Sequence, residues 1–144
     1  MQWNSKKNAG FSTAPASKLY LPLDPVKTLP TVEAQERDKR SLLNFVRRLA
    51  RLRNEIPALS GDGEFLALYA KPKKYPFVYL RSLGEQKIIV AVNPSKTPAK
   101  ISLHPSVSTS GITPIFAAGA ALHARNGKLH LEMKGVSYGI FRVA

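Results

Sequence analysis

Side chains able to carry acid and base catalysis are few in this chain, and they are widely spaced. The 144 residues include nine acidic residues against 22 lysines and arginines. No two carboxylates have a spacing that would bring them together on one helix face or at one strand end, as paired acid and base catalysis requires. We therefore predict no catalytic residue, and most of the acidic residues are interpreted as caps, turn residues or exposed charges. The nine are Asp24, Glu33, Glu36, Asp38, Glu55, Asp62, Glu64, Glu85 and Glu132.

Histidines and serines also lack the spacing of a catalytic or metal site. The three histidines do not show the i, i+4 pattern that binds zinc, although His123 and His130 flank a predicted turn and are placed to pair across it. The chain has no cysteine, which excludes disulfides, thiolate metal sites and a cysteine nucleophile. We expect no metal and no organic cofactor. The third histidine is His104. The serines Ser106, Ser108 and Ser110 also lack a nucleophile motif.

The net charge of +13 raises the question of a nucleic-acid partner. The basic residues are scattered over the whole chain, from Lys6 and Lys27 near the start to Lys134 near the end, and no known binding module accompanies them. A solvated basic surface is therefore favoured over nucleic-acid binding. No apolar run reaches the roughly 20 residues that span a bilayer, and no signal peptide is indicated. We expect a soluble, cytoplasmic protein without a membrane partner.

A helical period is clear only in residues 38–59. Apolar residues recur there at three- and four-residue spacing, which predicts an amphipathic helix over about 38–56 with Asp38 or Ser41 as its N-cap. Residues 1–35 carry four prolines and no sustained period, and are predicted to form an irregular lead that packs along another surface. The apolar stripe of the helix consists of Leu42, Phe45, Val46, Leu49, Leu52 and Ile56.

Beyond residue 63 the apolar pattern alternates, which is typical of strands. Frequent turn signals, among them Asn126-Gly127, separate short segments and favour an antiparallel β-sandwich with Greek-key connections. Strands are predicted at 65–70, 77–83, 87–93, 99–104, 113–117, 121–124, 128–133 and 138–143. The expected core is Leu66, Leu68, Val78, Leu80, Ile89, Ala91, Ile101, Leu103, Ile115, Leu129, Leu131, Ile140 and Phe141.

Several motifs occur in order along the first 60 residues. Residues 1–12 read MQWNSKKNAGFS, 18–23 read KLYLPL, 32–35 read VEAQ, and Asp38 is followed by SLLNFVRRLARLR at 41–53. The first resembles the Met-Gln-Trp-Asp…Ala-Gly-Phe segment of α-glucosidases, trehalose synthases and other members of the α-amylase superfamily. The later motifs resemble that family's Trp/Tyr-x-Pro, Val-Glu-x-Gln and Asp-x-x-Ser-Leu-Leu-Asn-Phe…Leu-Arg pieces. Asn4 stands where the family usually has Asp.

The resemblance implies a specific place in such an enzyme. In that family the Met-Gln-Trp loop follows the eighth strand of a (β/α)₈ barrel, the next helix is the barrel's last, and a β-sandwich domain closes the chain. The three catalytic carboxylates lie upstream of the loop, and a whole barrel needs about 250 residues. The resemblance therefore implies a barrel remnant at 1–62, a C-terminal sandwich domain at 63–144, and a missing catalytic barrel as partner.

Function follows from the same resemblance. The chain is expected to be the non-catalytic C-terminal portion of a retaining α-glucosidic enzyme whose substrate is an α-glucan or maltooligosaccharide, either a hydrolase or a trehalose synthase-type isomerase. Gln2 and Trp3 would be remnants of its pocket loop.

Two other roles remain open. The stripe Leu42, Phe45, Val46, Leu49 and Leu52 allows a homodimer, because an apolar helix face must be covered. A stand-alone carbohydrate- or polyanion-binding module is the second alternative, and its carbohydrate form predicts a flat row of exposed aromatic rings on one sheet face.

Overall fold

Strand residues dominate the second half of the chain, and turns and helices dominate the first half. The computed structural model describes residues 1–26, 30–104 and 111–144, so that Lys27 and the serines at 106, 108 and 110 lie outside the described residues. It forms two compact units, Met1–Leu52 and Arg53–Ala144. The prediction of a mainly antiparallel β protein that follows an irregular lead and an amphipathic helix is confirmed.

The first unit contains short turns of 3₁₀ helix and two α-helices. The 3₁₀ turns are Lys7–Gly10 and Ala16–Lys18, α1 is Val32–Arg37, and α2 is Leu42–Glu55, whose last turn belongs to the second unit. The lead contains α1, which is too short to show a helical period in the sequence. No helix in the described part of the chain is long and apolar enough to cross a bilayer.

Helix α2 begins at Leu42 instead of near residue 38. The Ser41 hydroxyl accepts the backbone N–H of Asn44 at 3.2 Å, so Ser41 is the N-cap of the two candidates. Asp38 instead ends α1, where its own N–H donates to the Ala34 carbonyl at 3.3 Å. The four residues between the helices form a turn that periodicity did not separate from α2.

The second unit is an antiparallel sheet of six strands in the order β1-β2-β3-β6-β4, with β5 on the other edge of β6. The chain passes from β4 to the far edge of β6, a connection of the Greek-key kind that skips a neighbouring position. The strands are β1 Glu64–Lys71, β2 Lys74–Leu83, β3 Gln86–Asn93, β4 Ala99–Leu103, β5 Ile112–Arg125 and β6 Lys128–Val143.

Strands β5 and β6 are longer than predicted, because Gly119 and Gly135 lie at bends and do not end strands. The first half of β6 pairs with β4 and its second half with β3, while β5 accompanies both halves with a register shift between Ala118 and Ala120. Gly119 has a φ of +68°, which an L side chain rarely adopts. The sheet thus bends along β5 and β6 into two layers, with the core between them.

Most of the predicted core is buried between these layers. The buried cluster is Val78, Leu80, Ile89, Ala91, Leu103, Leu122, Leu129, Leu131, Met133, Phe141 and Val143, with Leu68 and Ile101 packed against it. Leu66 was predicted inside but is 48% exposed on the edge strand β1. Ile115 is only partly buried, because the register of β5 shifts between Pro114 and Phe116. Ile140 is buried, but it is paired with Val90 on the opposite face of the sheet.

Strand β3 is buried on both faces by its position under the segment that follows α2. The 3₁₀ turn Pro57–Leu59 packs against β2 and β3, and Ala58 within it is fully buried. Its backbone is held by side chains of the sheet: the Ala58 N–H donates to Gln86 Oε1 at 3.1 Å, and Arg81 Nε donates to the Ala58 carbonyl at 3.1 Å. This explains the nearly continuous apolar run of β3.

The bend of β6 gives a direct test of the fold. A Cβ added at Gly135 would collide with the Lys96 backbone carbonyl, which cannot rotate away. We expect Gly135→Ala to lower the free energy of unfolding by about 1–3 kcal/mol, as overpacking does. Denaturant unfolding followed by far-UV circular dichroism measures this change.

Gly61→Ala is the matched control, because an added Cβ at Gly61 meets no atom within 4 Å. It should change the free energy of unfolding by less than about 0.5 kcal/mol or stabilise the fold slightly. Equal stabilities of the two variants would contradict the described bend.

Candidate functional site

The loop that carries Gln2 and Trp3 has a fixed backbone. Asn8 and Ala9 adopt left-handed φ angles of 52° and 53°, which reverse the chain. The Ala9 carbonyl then accepts the Trp3 N–H at 2.8 Å and the Asn4 N–H at 3.2 Å. Asn4 Oδ1 accepts the backbone N–H of Lys6 at 3.0 Å. An aspartate oxygen accepts such a bond equally well, so Asn4 keeps the local turn.

A buried amide closes this loop from inside. Asn8 is buried, and its Nδ2 donates to the Ser12 carbonyl at 2.9 Å and to the Ala14 carbonyl at 2.8 Å. These carbonyls belong to irregular backbone that no sheet or helix ladder satisfies. The loop is therefore an ordered element and not a loose end.

The same loop covers the start of α1. The first N–H groups of a helix have no partner within it. Here the Val32 N–H donates to the Gln2 carbonyl and the Glu33 N–H to the Trp3 carbonyl, both at 2.9 Å, while Thr31 Oγ1 accepts the Ala34 N–H at 3.2 Å. The backbone of Gln2 and Trp3 is thus held by α1.

Gln35 and Asn44 join α1 to α2. Asn44 Nδ2 donates to the carbonyls of Gln35 and Asp38, each at 2.9 Å. Both carbonyls lie near the C-terminal end of α1. The Gln35 carbonyl also accepts the Ser41 hydroxyl at 2.6 Å, and Gln35 Oε1 accepts the Leu43 N–H at the start of α2 at 3.1 Å. The motif positions of 32–35 and 41–44 therefore have a structural role: they satisfy the polar groups where two helices meet.

An open groove of about 780 Å³ lies between the N-terminal loop, α1 and α2 in the first unit. On α2, Leu42 is 71% exposed and Val46 is 52% exposed. The charged lining residue Arg47 donates to Glu36 at 2.8 Å. Of the described lining residues none carries a carboxyl group, so the groove offers apolar contact and no acid or base pair. The lining consists of Met1, Gln2, Trp3, Pro30, Val32, Gln35, Leu42, Leu43, Val46 and Arg47.

The remaining polar candidates do not assemble into a reactive site. His123 and His130 are register partners across the β5–β6 hairpin, as expected from the turn between them. His130 Nδ1 lies 3.0 Å from the Ser102 hydroxyl on β4, with which it forms a hydrogen bond. Within residues 1–26, 30–104 and 111–144, no group of three or more His, Asp or Glu side chains is placed to hold a metal ion.

Aromatic rings gather on the outer face of β1 and β2. Phe65 and Phe77 lie 5.1 and 5.3 Å from Tyr79, measured between ring centroids, and are inclined to it by 33° and 37°. Rings tilted in this way pack against each other and do not form one plane. Burial raises the pKa of the Tyr79 hydroxyl, and the charge of Arg81 acts in the opposite direction. The Tyr79 hydroxyl is therefore neutral near pH 7.

The junction of the two helices can be tested by removing one amide. Asn44→Ala deletes the side-chain donor to the Gln35 and Asp38 carbonyls, which keep Ser41 as a partner through its hydroxyl and its backbone N–H respectively. We expect the first unit to lose about 1–2 kcal/mol of stability, the net contribution of one or two hydrogen bonds. Hydrogen exchange should quicken at the Asp38 amide, which closes α1.

Asn54→Ala is the control, since Asn54 is an exposed asparagine on the same helix. Its exchange rates in α1 should match those of the unaltered chain. The proposed role of Asn44 is refuted if both variants protect the Asp38 amide equally.

Comparison with known proteins gives one family. Residues 1–62 match the model named Alpha-amylase, for the alpha amylase catalytic domain. A trehalose synthase/amylase of Mycobacterium tuberculosis is 35% identical over 147 aligned residues, which cover 98% of this chain and 24% of that protein. A probable oligo-1,6-glucosidase of Bacillus subtilis is 35% identical over 99 residues, which cover 69% of this chain and 17% of that protein.

The solved structures agree with the sequence relatives. The trehalulose synthase MutB from Pseudomonas mesoacidophila superposes with a TM-score of 0.75 at 26% identity, over 99% of this chain and 24% of that one. The chain thus spans about a quarter or less of the proteins it matches. Because its first part matches the catalytic-domain model and nearly all of it aligns with such enzymes, the chain belongs to the α-amylase superfamily of glycoside hydrolases and trehalose synthase-like enzymes.

Proposed function

We propose that the chain is the non-catalytic C-terminal portion of a retaining α-glucosidic enzyme, in which the β-sandwich stabilises the catalytic barrel. The observation that carries this proposal is the exposed apolar face of α2, within residues that match a catalytic-domain model. Large apolar side chains such as Leu42 and Val46 gain roughly 1.5–3 kcal/mol each when they are buried. A surface of this kind is built to be covered.

The catalytic barrel is the cover that we propose for this face. Helix α2 would be the last helix of that barrel, and the groove beside Gln2 and Trp3 would be filled by neighbouring barrel elements. In the chain alone a second copy is the alternative cover, through a homodimer on Leu42, Phe45, Val46, Leu49 and Leu52. The catalytic carboxylates would be supplied by the barrel and not by these residues.

The substrate that we propose for the whole enzyme is an α-glucan or maltooligosaccharide. The relatives include a glucosidase and trehalose synthases, which supports chemistry at an α-glucosidic bond. A hydrolase of the α-glucosidase or α-amylase type is the first choice. A trehalose synthase-type isomerase is the alternative, which the alignment to a trehalose synthase/amylase over 98% of this chain supports.

Absence of turnover is the first expected result. The purified chain should not hydrolyse maltose or an aryl α-glucoside and should not convert maltose into trehalose, because the lining of its groove holds no carboxyl pair. A sensitive glucose assay and chromatography of the sugars measure this. Activity that follows the chain through purification, and persists after the host's own glucosidases are excluded, would overturn the proposal.

A chimaera tests whether the α2 face meets a barrel. The corresponding C-terminal portion of the Mycobacterium tuberculosis relative is replaced by this chain, with and without Val46→Asp. A buried charge on the α2 face should lower the melting temperature of the chimaera by several degrees, since an unpaired buried carboxylate is costly. Asn54→Asp, which adds the same charge at an exposed position of α2, should leave it unchanged. Equal melting temperatures would show that the barrel does not cover this face.

A further inference from the structure

We propose that strand β1 is a dimerisation edge, which pairs antiparallel with β1 of a second copy so that Glu64 of each copy meets Lys71 of the other. The inference concerns the sandwich alone and does not depend on the function proposed above. It rests on the open edge of the sheet and on the order of side chains along β1.

The open edge is the first observation. β1 is the last strand of the sheet, and among the described strands it pairs only with β2. It is eight residues long, and its apolar side chains Phe65 and Leu66 are 55% and 48% exposed. An edge strand of this length presents unpaired backbone N–H and C=O groups, and a second strand can bind to them.

The side chains of β1 are the second observation. Glu64, Leu66 and Tyr69 stand opposite Ser82, Leu80 and Val78, which alternate on one face of β2. Lys71 follows Tyr69 by two residues on β1, which places both on the same face of that strand, and it pairs with Lys74 beyond a second register shift between Tyr69 and Lys71. Leu66 and Tyr69 are three residues apart, which in a regular strand would place them on opposite faces. The register shift between Ala67 and Tyr69 brings both onto the same face.

That order is self-complementary when two copies run in opposite directions. Placing Glu64 opposite the other copy's Lys71 also places Leu66 opposite the other copy's Tyr69, and the two-fold axis repeats both pairs. Opposite charges and apolar pairs directly across an antiparallel ladder are both favourable. The centre of the contact is the bulged pair Ala67 and Leu68 from each copy. The arrangement closes after two copies, as a two-fold interface must.

The lysine is already oriented by its neighbour. Lys71 Nζ lies 5.3 Å from the centroid of the Tyr69 ring on its own strand, at cation–π distance. In the pair this ammonium and ring would face Glu64 and Leu66 of the second copy. Glu64 is one of only nine acidic residues in a chain of net charge +13, so most surfaces of two copies repel each other. The β1 edge is a place where each copy offers one charge of each sign.

Charge exchange tests the pairing. All variants carry Val46→Asp, so that any contact through α2 is removed, and the dimer dissociation constant is measured by sedimentation velocity. Glu64→Lys or Lys71→Glu alone places like charges opposite each other twice and should weaken the dimer about tenfold. The double variant Glu64→Lys with Lys71→Glu should restore it to within about threefold. Glu85→Lys at the exposed β2–β3 turn changes the net charge equally and should have no effect.

Cysteine cross-linking tests the register. Because the chain has no cysteine, introduced ones report a single contact. Leu66→Cys with Tyr69→Cys should form a covalent dimer on mild oxidation, whereas either substitution alone should not, since each residue faces the other position across the axis. Far-UV circular dichroism confirms that the variants are folded.

Several results would overturn the proposal. We take a dissociation constant of about 100 µM as the weakest that a specific dimer would have. If the chain is still monomeric at that concentration, β1 is not a dimerisation edge. A dimer that is insensitive to the single charge changes, or not rescued by the double change, does not use this register. A β1 edge that captures an extended peptide of another protein instead of a second copy would likewise give a monomer in the pure chain.

Discussion

One buried amide controls the bend on which both layers of the sandwich depend. Asn93, at the end of β3, is 1% exposed, and its Nδ2 donates to the Thr97 carbonyl at 3.0 Å and to the Lys134 carbonyl at 2.8 Å. Its Oδ1 accepts the Ser95 N–H at 3.2 Å. One side chain thus ties the link between β3 and β4 to the point where β6 turns from one layer into the other. Without it, the Thr97 carbonyl would lose its side-chain donor, and the Lys134 carbonyl would keep the Ser137 hydroxyl as a partner.

The first unit uses the same device where its backbone is irregular. Asn8 satisfies the carbonyls inside the N-terminal loop, and Asn44 satisfies those at the end of α1. Glycine allows the backbone to take these paths, but an amide side chain makes a single path favourable, because it donates and accepts at fixed directions. Both units are therefore specified by their apolar pattern in regular segments and by amides where the ladders stop.

This division explains what could be predicted from sequence. Periodicity indicated α2 and the strands, and local turn chemistry indicated the Asn126-Gly127 hairpin. Periodicity did not show α1, because this helix is shorter than two full turns. The sequence also did not show that Gly119 and Gly135 bend strands instead of ending them. The bulge in β5 moved Ile115 out of the core, since a shift of one residue changes the face. The contacts of Asn44 and Asn93 join residues up to 41 positions apart, and no local pattern carries them.

The two units differ in how completely they bury their apolar residues. The sandwich closes its own core, and its segment Pro57–Leu59 covers the outer face of β3. The first unit leaves Leu42 and Val46 exposed on a helix that has no fully buried residue. The sandwich can therefore fold by its own contacts, whereas α2 gains much of its stability only when something covers it.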